Sequence, residues 1–115
     1  MDNAVFLAGK MSYDPLEKTL GEEKVAMCRF VIAVTRKWRD HRSGEDKEFT
    51  THHEVVCYRQ LAKHVMESCQ TGDDVLVIGR LNTRGSTEEG KRDKITEIVA
   101  DHVALDLLHK SIPIE

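Results

Sequence analysis

A chain of 115 residues, 40% hydrophobic and 32% charged, has the composition of a folded domain and the length of one, which excludes a multidomain enzyme. Apolar runs such as Ala4 to Gly9 and Val75 to Ile78 fall far below the ~18 residues a membrane-spanning helix needs, and Met1-Asp2-Asn3 opens no basic leader, so a cytoplasmic protein with no membrane partner is expected. The net charge of −3 gives no global pull toward a polyanion, and the 3 cysteines (Cys28, Cys57, Cys69) form no CxxC pair and read as reduced, packed thiols.

Asn3 to Lys10 reads as a strand, ended by the turn dipeptide Asp14-Pro15. Val25 to Val34 (VAMCRFVIAV) is β-branched and nearly continuous in apolar character, the pattern of a strand buried on much of both faces. A polar stretch with Ser43-Gly44 at its tip follows, and Thr50 to Cys57 resumes β-rich composition, which predicts a long hairpin. Leu61, Ala62, Val65, Met66 and Cys69 then fall along one face of a helix that stops at Gln70-Thr71-Gly72. Asp74 to Leu81 is a buried strand, Arg84 to Gly90 a polar loop, and Lys94 to Ala100 with Val103 to Leu108 the last β segments. The order predicts an all-β fold, a five-stranded OB barrel with long β hairpins and one α-helix between strands 3 and 4. Residues 1–108 would form this single domain and 109–115 a short C-terminal extension.

Charge is unevenly placed along that order. Arg36, Lys37, Arg39 and Arg42 stand against Asp40 on the first hairpin, and Arg80, Arg84, Lys91, Arg92 and Lys94 against Glu88, Glu89 and Asp93 near the second. From Ile95 the sign reverses, with Glu97, Asp101, Asp106 and Glu115 facing only Lys110. Trp38 sits inside the first basic stretch, and a flat ring beside cations is what a single nucleic-acid strand requires, a face for a base and charges for its phosphates. Tyr58, at the strand-to-helix junction, serves equally as a core side chain, and Arg80 and Arg84 equally as solvated arginines. His52 and His53 are adjacent on a strand and point to opposite faces, and His64 and Cys69 miss the i, i+4 spacing of helical ligands, so no metal is expected. With no catalytic triad, phosphate loop or carboxylate pair in the chain, the reading is a non-enzyme without cofactor.

Val5 and Leu7 leading to Gly9, Val25-Ala26 with Phe30 and Ala33-Val34, Trp38-Arg39-Asp40, Gly44-Glu45, Thr50, Val55-Val56, Leu61-Ala62, Gly72-Asp73-Asp74-Val75, Gly79-Arg80-Leu81 and Thr83-Arg84 occur in an order and spacing that resemble the bacterial single-stranded DNA-binding protein family. The resemblance covers roughly Asn3 to Leu108. It implies an OB fold, sequence-tolerant binding of single-stranded DNA in replication, repair or recombination, a nucleoid-associated location in the bacterial cytoplasm, and a homo-oligomer, a tetramer favoured over a dimer. Replication or repair proteins would be its protein partners. The nucleic-acid contacts expected are Arg36, Lys37, Trp38, Arg39, Arg42, His52, Tyr58, Arg80 and Arg84. The oligomer contacts expected are Phe6, Ala8, His53 and Val55, with Cys57 on the same apolar surface.

The departures from the family are specific. An aromatic is kept at Trp38 and Tyr58, whereas His52 stands where a Trp is usual and the aromatic near Ser86 is missing. Glu54 replaces a common basic residue and Arg59 a frequent Gly, and Ser111-Ile112-Pro113-Ile114-Glu115 stands where the family's long acidic-tipped tail would begin. A tail-less, divergent paralogue is therefore expected. The alternatives are a replication-restart OB adaptor that mainly holds a protein partner, and an OB scaffold subunit that has abandoned DNA.

Overall fold

The computed structural model describes residues 4–85 and 94–113, with the side chains of residues 84, 85, 94 and 95 left aside. Seven elements follow one another: β1 (Ala4–Met11), β2 (Leu16–Leu20), β3 (Val25–Arg39), β4 (Asp46–Tyr58), α1 (Arg59–Ser68), β5 (Asp74–Gly85) and β6 (Lys94–Leu105). Their hydrogen-bonded order is β1-β5-β6-β4-β3-β2, and β1 also pairs with β3 through Lys10↔Ala33 and Met11↔Ile32. That second pairing closes β1, β5, β6, β4 and β3 into a five-stranded barrel, and over these five strands α1 falls between the third and the fourth. All neighbours are antiparallel except β4 and β6, which run parallel at Val55↔Ile98 and Val56↔Val99.

The additional strand β2 flanks the barrel. It pairs Leu16–Leu20 with Val25–Arg29 of β3 across a turn in which Gly21 (φ 71°) and Lys24 (φ 54°) both take left-handed backbone. Four of its five residues are exposed; a solvated edge strand has no buried face to impose apolar alternation, so the sequence shows only a turn there. The break between β1 and β2 is pinned from outside, because Asp14 Oδ1 accepts hydrogen bonds from Thr71 N (2.8 Å) and Thr71 Oγ1 (2.7 Å). Both bonds favour the ionised carboxyl, which holds Asp14 below the ordinary carboxylate range.

Inside the barrel the strands contribute every second residue: Cys28, Phe30 and Ile32 from β3, Val55 and Cys57 from β4, Val75 and Val77 from β5, and Ile98 and Ala100 from β6. Ala62 and Val65 of α1 complete the same cluster, with Leu61 and Met66 packed at its margin, which is the stripe the helical spacing predicts. Val55 is 0% exposed, so the expectation that it makes a subunit contact is corrected: its strand turns odd residues inward at this height, and Cys57 is enclosed for the same reason. Strand β5 carries a register irregularity at Ile78/Gly79, where a Cβ on Gly79 would collide with the Val99 carbonyl oxygen. The absence of a side chain there lets β5 and β6 close on each other. Beyond β6 the chain is tied back by Asp106 N, which donates to Asp74 O (2.8 Å), and by Lys110 Nζ on Asp73 Oδ1 (3.2 Å).

Candidate nucleic-acid interface

Past the barrel wall β3 and β4 continue as a two-stranded arm, in register from Thr35↔Thr50 to Arg39↔Asp46, with both faces exposed. Its tip is a defined turn. Asp40 N donates to Glu45 O and Gly44 N to Asp40 O, each at 2.8 Å, Gly44 sits at φ 72°, and Asp40 Oδ1 accepts from Arg42 N at 2.8 Å. Asp40 thus staples the turn with the carboxylate that in the sequence merely offsets the basic run.

Alternation along the arm sorts the basic residues into two faces. One face carries Arg36 and Trp38 of β3 opposite Phe49 and Lys47 of β4, two cations and two aromatics, with Glu45 Oε2 3.3 Å from Lys47 Nζ toward the tip. Trp38 is 43% and Phe49 60% exposed, and the Arg36 guanidinium lies 5.1 Å from the Trp38 ring centroid, a cation–π separation. The other face pairs Lys37 with Glu48 and Arg39 with Asp46; opposite charges directly across a ladder offset each other. Arg42 projects at the exposed tip. Lys37, Trp38, Asp46, Lys47 and Glu48 line a shallow cleft of about 500 Å³ at the arm's end. Sequence reading missed Phe49 and Lys47, although an aromatic in a polar hairpin segment was the available signal; which face it joins depends on the register.

His52 and Tyr58 lie on the outer wall of the barrel along β4, both exposed, with Glu54 and Val56 between them on the same face. At Glu54 the wall carries an ion-paired cluster. Arg29 Nη1 approaches Glu54 Oε1 at 2.7 Å and Arg29 Nη2 lies 3.7 Å from Glu97 Oε2, while Asn82 Nδ2 donates to Glu97 Oε1 at 3.3 Å. Glu97 is only 4% exposed, so a compensating guanidinium is a condition of its burial. Arg29 is thus engaged by carboxylates and not free for a phosphate passing from His52 toward Tyr58.

Arg80 stands elsewhere on the wall, between Ala4 of β1 and Val99 of β6, in a loose exposed pair with Asp101 (3.7 Å). Arg84 falls on β5 opposite Ile95, its side chain outside the described part, and Ser86, Lys91 and Arg92 lie outside the described residues. The structure therefore brings Arg36 and Trp38 together, sets Lys37 and Arg39 behind them, and leaves His52, Tyr58 and Arg80 on the barrel. Of the oligomer candidates, Phe6 is 64% exposed and opposite the exposed Ile78, and Ala8 is exposed on the same face. Along Ala4–Gly9 the second edge of β1 makes no ladder pairing among the described residues. His53 is half-buried on the inward-turned side of β4, its Nε2 2.9 Å from Thr51 Oγ1, and does not join that patch. No His/Cys/Asp/Glu cluster fit for a metal occurs among the described residues, and no helix there is long and apolar enough to cross a membrane.

Comparison with known proteins gives one family. Residues 2–106 match the profile of the Single-strand binding protein family. Among solved structures the chain is similar to the small single-stranded DNA-binding protein from Streptomyces coelicolor, at 27% identity and TM-score 0.79, over 96% of this chain and 98% of that one. It is similar also to Plasmodium falciparum SSB in complex with ssDNA, at 27% identity and TM-score 0.79, over 91% and 93% of the two chains. A deletion mutant of the single-stranded DNA binding protein from Thermus aquaticus shares the fold at 21% identity and TM-score 0.79, over 93% of this chain and 51% of that one. Because the family match takes in every strand of the barrel, the helix and the arm that bears Trp38, the chain belongs to the single-strand binding protein family.

Proposed function

We propose that the protein binds single-stranded DNA without sequence preference and without catalysis, stacking bases on the face of the β3–β4 arm that carries Trp38 and Phe49. The observation that carries the reading is that face itself: two exposed rings and two cations in register, with Glu45 paired to Lys47 toward the tip, on a hairpin whose turn is held by its own hydrogen bonds. Rings accept any base because every base has a π-face, and Arg36 and Lys47 meet the phosphates between them. Protection of exposed strands during replication, repair or recombination is the role that follows from the family.

The same reading includes a homo-oligomer, a tetramer in preference to a dimer, in which the unpaired edge of β1 and the exposed Phe6–Ile78 surface are covered by a second copy. One observation favours a second reading, the replication-restart adaptor: the Arg29 guanidinium on the barrel wall is already engaged by Glu54 and Glu97 and offers a phosphate chain little, so the arm binds DNA weakly while the wall is left to a protein partner. A titration of Trp38 fluorescence with oligo-dT at several salt concentrations separates the two. Strong quenching with a log–log salt slope near −0.7 for each phosphate neutralised supports strand binding; no quenching at low salt refutes it.

A further inference from the structure

The register of β3 against β4 sets Cys28 directly opposite Cys57. Both are fully enclosed, side by side in one core cluster. Directly opposed residues of antiparallel strands have Cα atoms about 4.5–5.5 Å apart, inside the window of about 4.4–6.8 Å in which a disulfide closes without moving the backbone. We propose that Cys28 and Cys57 are an oxidation site, a latent cross-strand disulfide at the base of the β3–β4 arm.

The pair has an order of reaction. The neighbouring Cys57 side chain draws the Cys28 thiol down, while Cys28 together with burial pushes the Cys57 thiol far up. Cys28 therefore supplies the first thiolate. With hydrogen peroxide as oxidant, its sulfur takes up one peroxide oxygen to become a sulfenic acid and the other oxygen leaves as water. The Cys57 sulfur then attacks the sulfenic sulfur; the S–S bond forms, the S–O bond breaks, and the hydroxyl leaves with the Cys57 proton as a second water. The two thiols lose two hydrogens and two electrons, and peroxide is reduced to two waters.

Access comes from α1, whose Ala62 and Val65 pack in one cluster with both cysteines. The helix starts immediately after Tyr58, which makes no side-chain cap hydrogen bond, its first turn holds no acidic residue, and Arg59 sits at φ 59°. An uncapped, strained first turn opens at a small fraction of the global unfolding cost, and that opening admits a small oxidant. Cys69 lies just past the other end of α1, half-buried, with its thiol pushed up by burial. It has no strand partner and takes no part. The disulfide would close a ring around the whole arm at its base, leaving the Trp38–Phe49 face unchanged.

The test uses the reduced full chain, held folded in hydrogen peroxide, quenched with catalase, then denatured in N-ethylmaleimide for intact mass and a non-reducing peptide map. The expected result is loss of two hydrogens, alkylation at Cys69 alone, a Cys28–Cys57 linked peptide, and a melting midpoint raised by on the order of 10 °C. Cys69→Ser forms the same link. Three alkylated cysteines, a disulfide that includes Cys69 or joins two chains, or sulfinic acid at Cys28 or Cys57 would overturn the assignment.

Discussion

Alanine substitution on the two faces of the β3–β4 arm offers a direct comparison, because the residues are neighbours in sequence and differ only in which way they project. Trp38→Ala and Phe49→Ala each remove one ring from the face that also bears Arg36 and Lys47, and stacking of a base on a protein ring is worth ~1–3 kcal/mol by such substitutions. Phe49 is 60% exposed, so only the remaining two-fifths of its ring surface is withdrawn from water; scaling the ~1.5–3 kcal/mol of a fully buried Phe gives a stability loss of about 1 kcal/mol, small enough to leave the fold intact. Arg36→Ala removes both a phosphate contact and the cation over the indole, for a further ~0.5–1 kcal/mol. Lys37→Ala and Arg39→Ala, on the face where Glu48 and Asp46 stand opposite, should cost much less in affinity. Binding to oligo-dT would be followed by Trp38 quenching for all variants except Trp38→Ala, and by anisotropy of labelled DNA for that one. The expected result is a weakening of about 5- to 150-fold for each ring, with Arg36→Ala costlier than Lys37→Ala. Phe49→Ala binding within twofold of wild type, or Lys37→Ala matching Arg36→Ala, would refute the assignment of the stacking face.

Glu54→Gln removes one of the two carboxylates around Arg29, at a contact of 2.7 Å between side chains about 30% exposed. It should cost ~0.5–1 kcal/mol in stability and tighten single-strand binding by about two- to fivefold, with a steeper salt slope, in the same titration; an unchanged affinity and slope would show that DNA does not cross this wall. Gly79→Ala drives a methyl into the Val99 carbonyl oxygen at the β5–β6 irregularity, and should lower chemical-denaturation stability by at least ~2 kcal/mol. Arg59→Gly relieves a left-handed φ of 59° at the first residue of α1: the conformation costs an L-residue ~1–2 kcal/mol and glycine's extra chain entropy returns ~0.5–1, so a net gain of ~0.5–1 kcal/mol is expected in the same measurement.

What the amino-acid sequence determines by itself is the inventory of elements wherever burial enforces a period. Val25 to Val34, Asp74 to Leu81 and the stripe Leu61, Ala62, Val65 and Met66 are legible because each must turn a fixed fraction of its side chains to one core. Trp38 among cations was legible too, since a large ring in a polar segment has no core to enter. β2 was not, because Leu16–Leu20 is a solvated edge whose pairing is decided by β3 and not by its own pattern.

Tertiary structure alone decided which residues share a face. The turn at Asp40–Glu45 sets the β3–β4 register, and the register puts Phe49 beside Trp38, turns Val55 inward and brings Cys28 against Cys57; a shift of one residue would reverse all three, and nothing local in the sequence states it. Barrel closure likewise carries Glu97 of β6 to Arg29 of β3 and so engages a guanidinium whose partners lie far away in the chain. Composition counts charges, but their effect on a phosphate depends on distances between strands far apart in the chain, and those exist only once the barrel has closed.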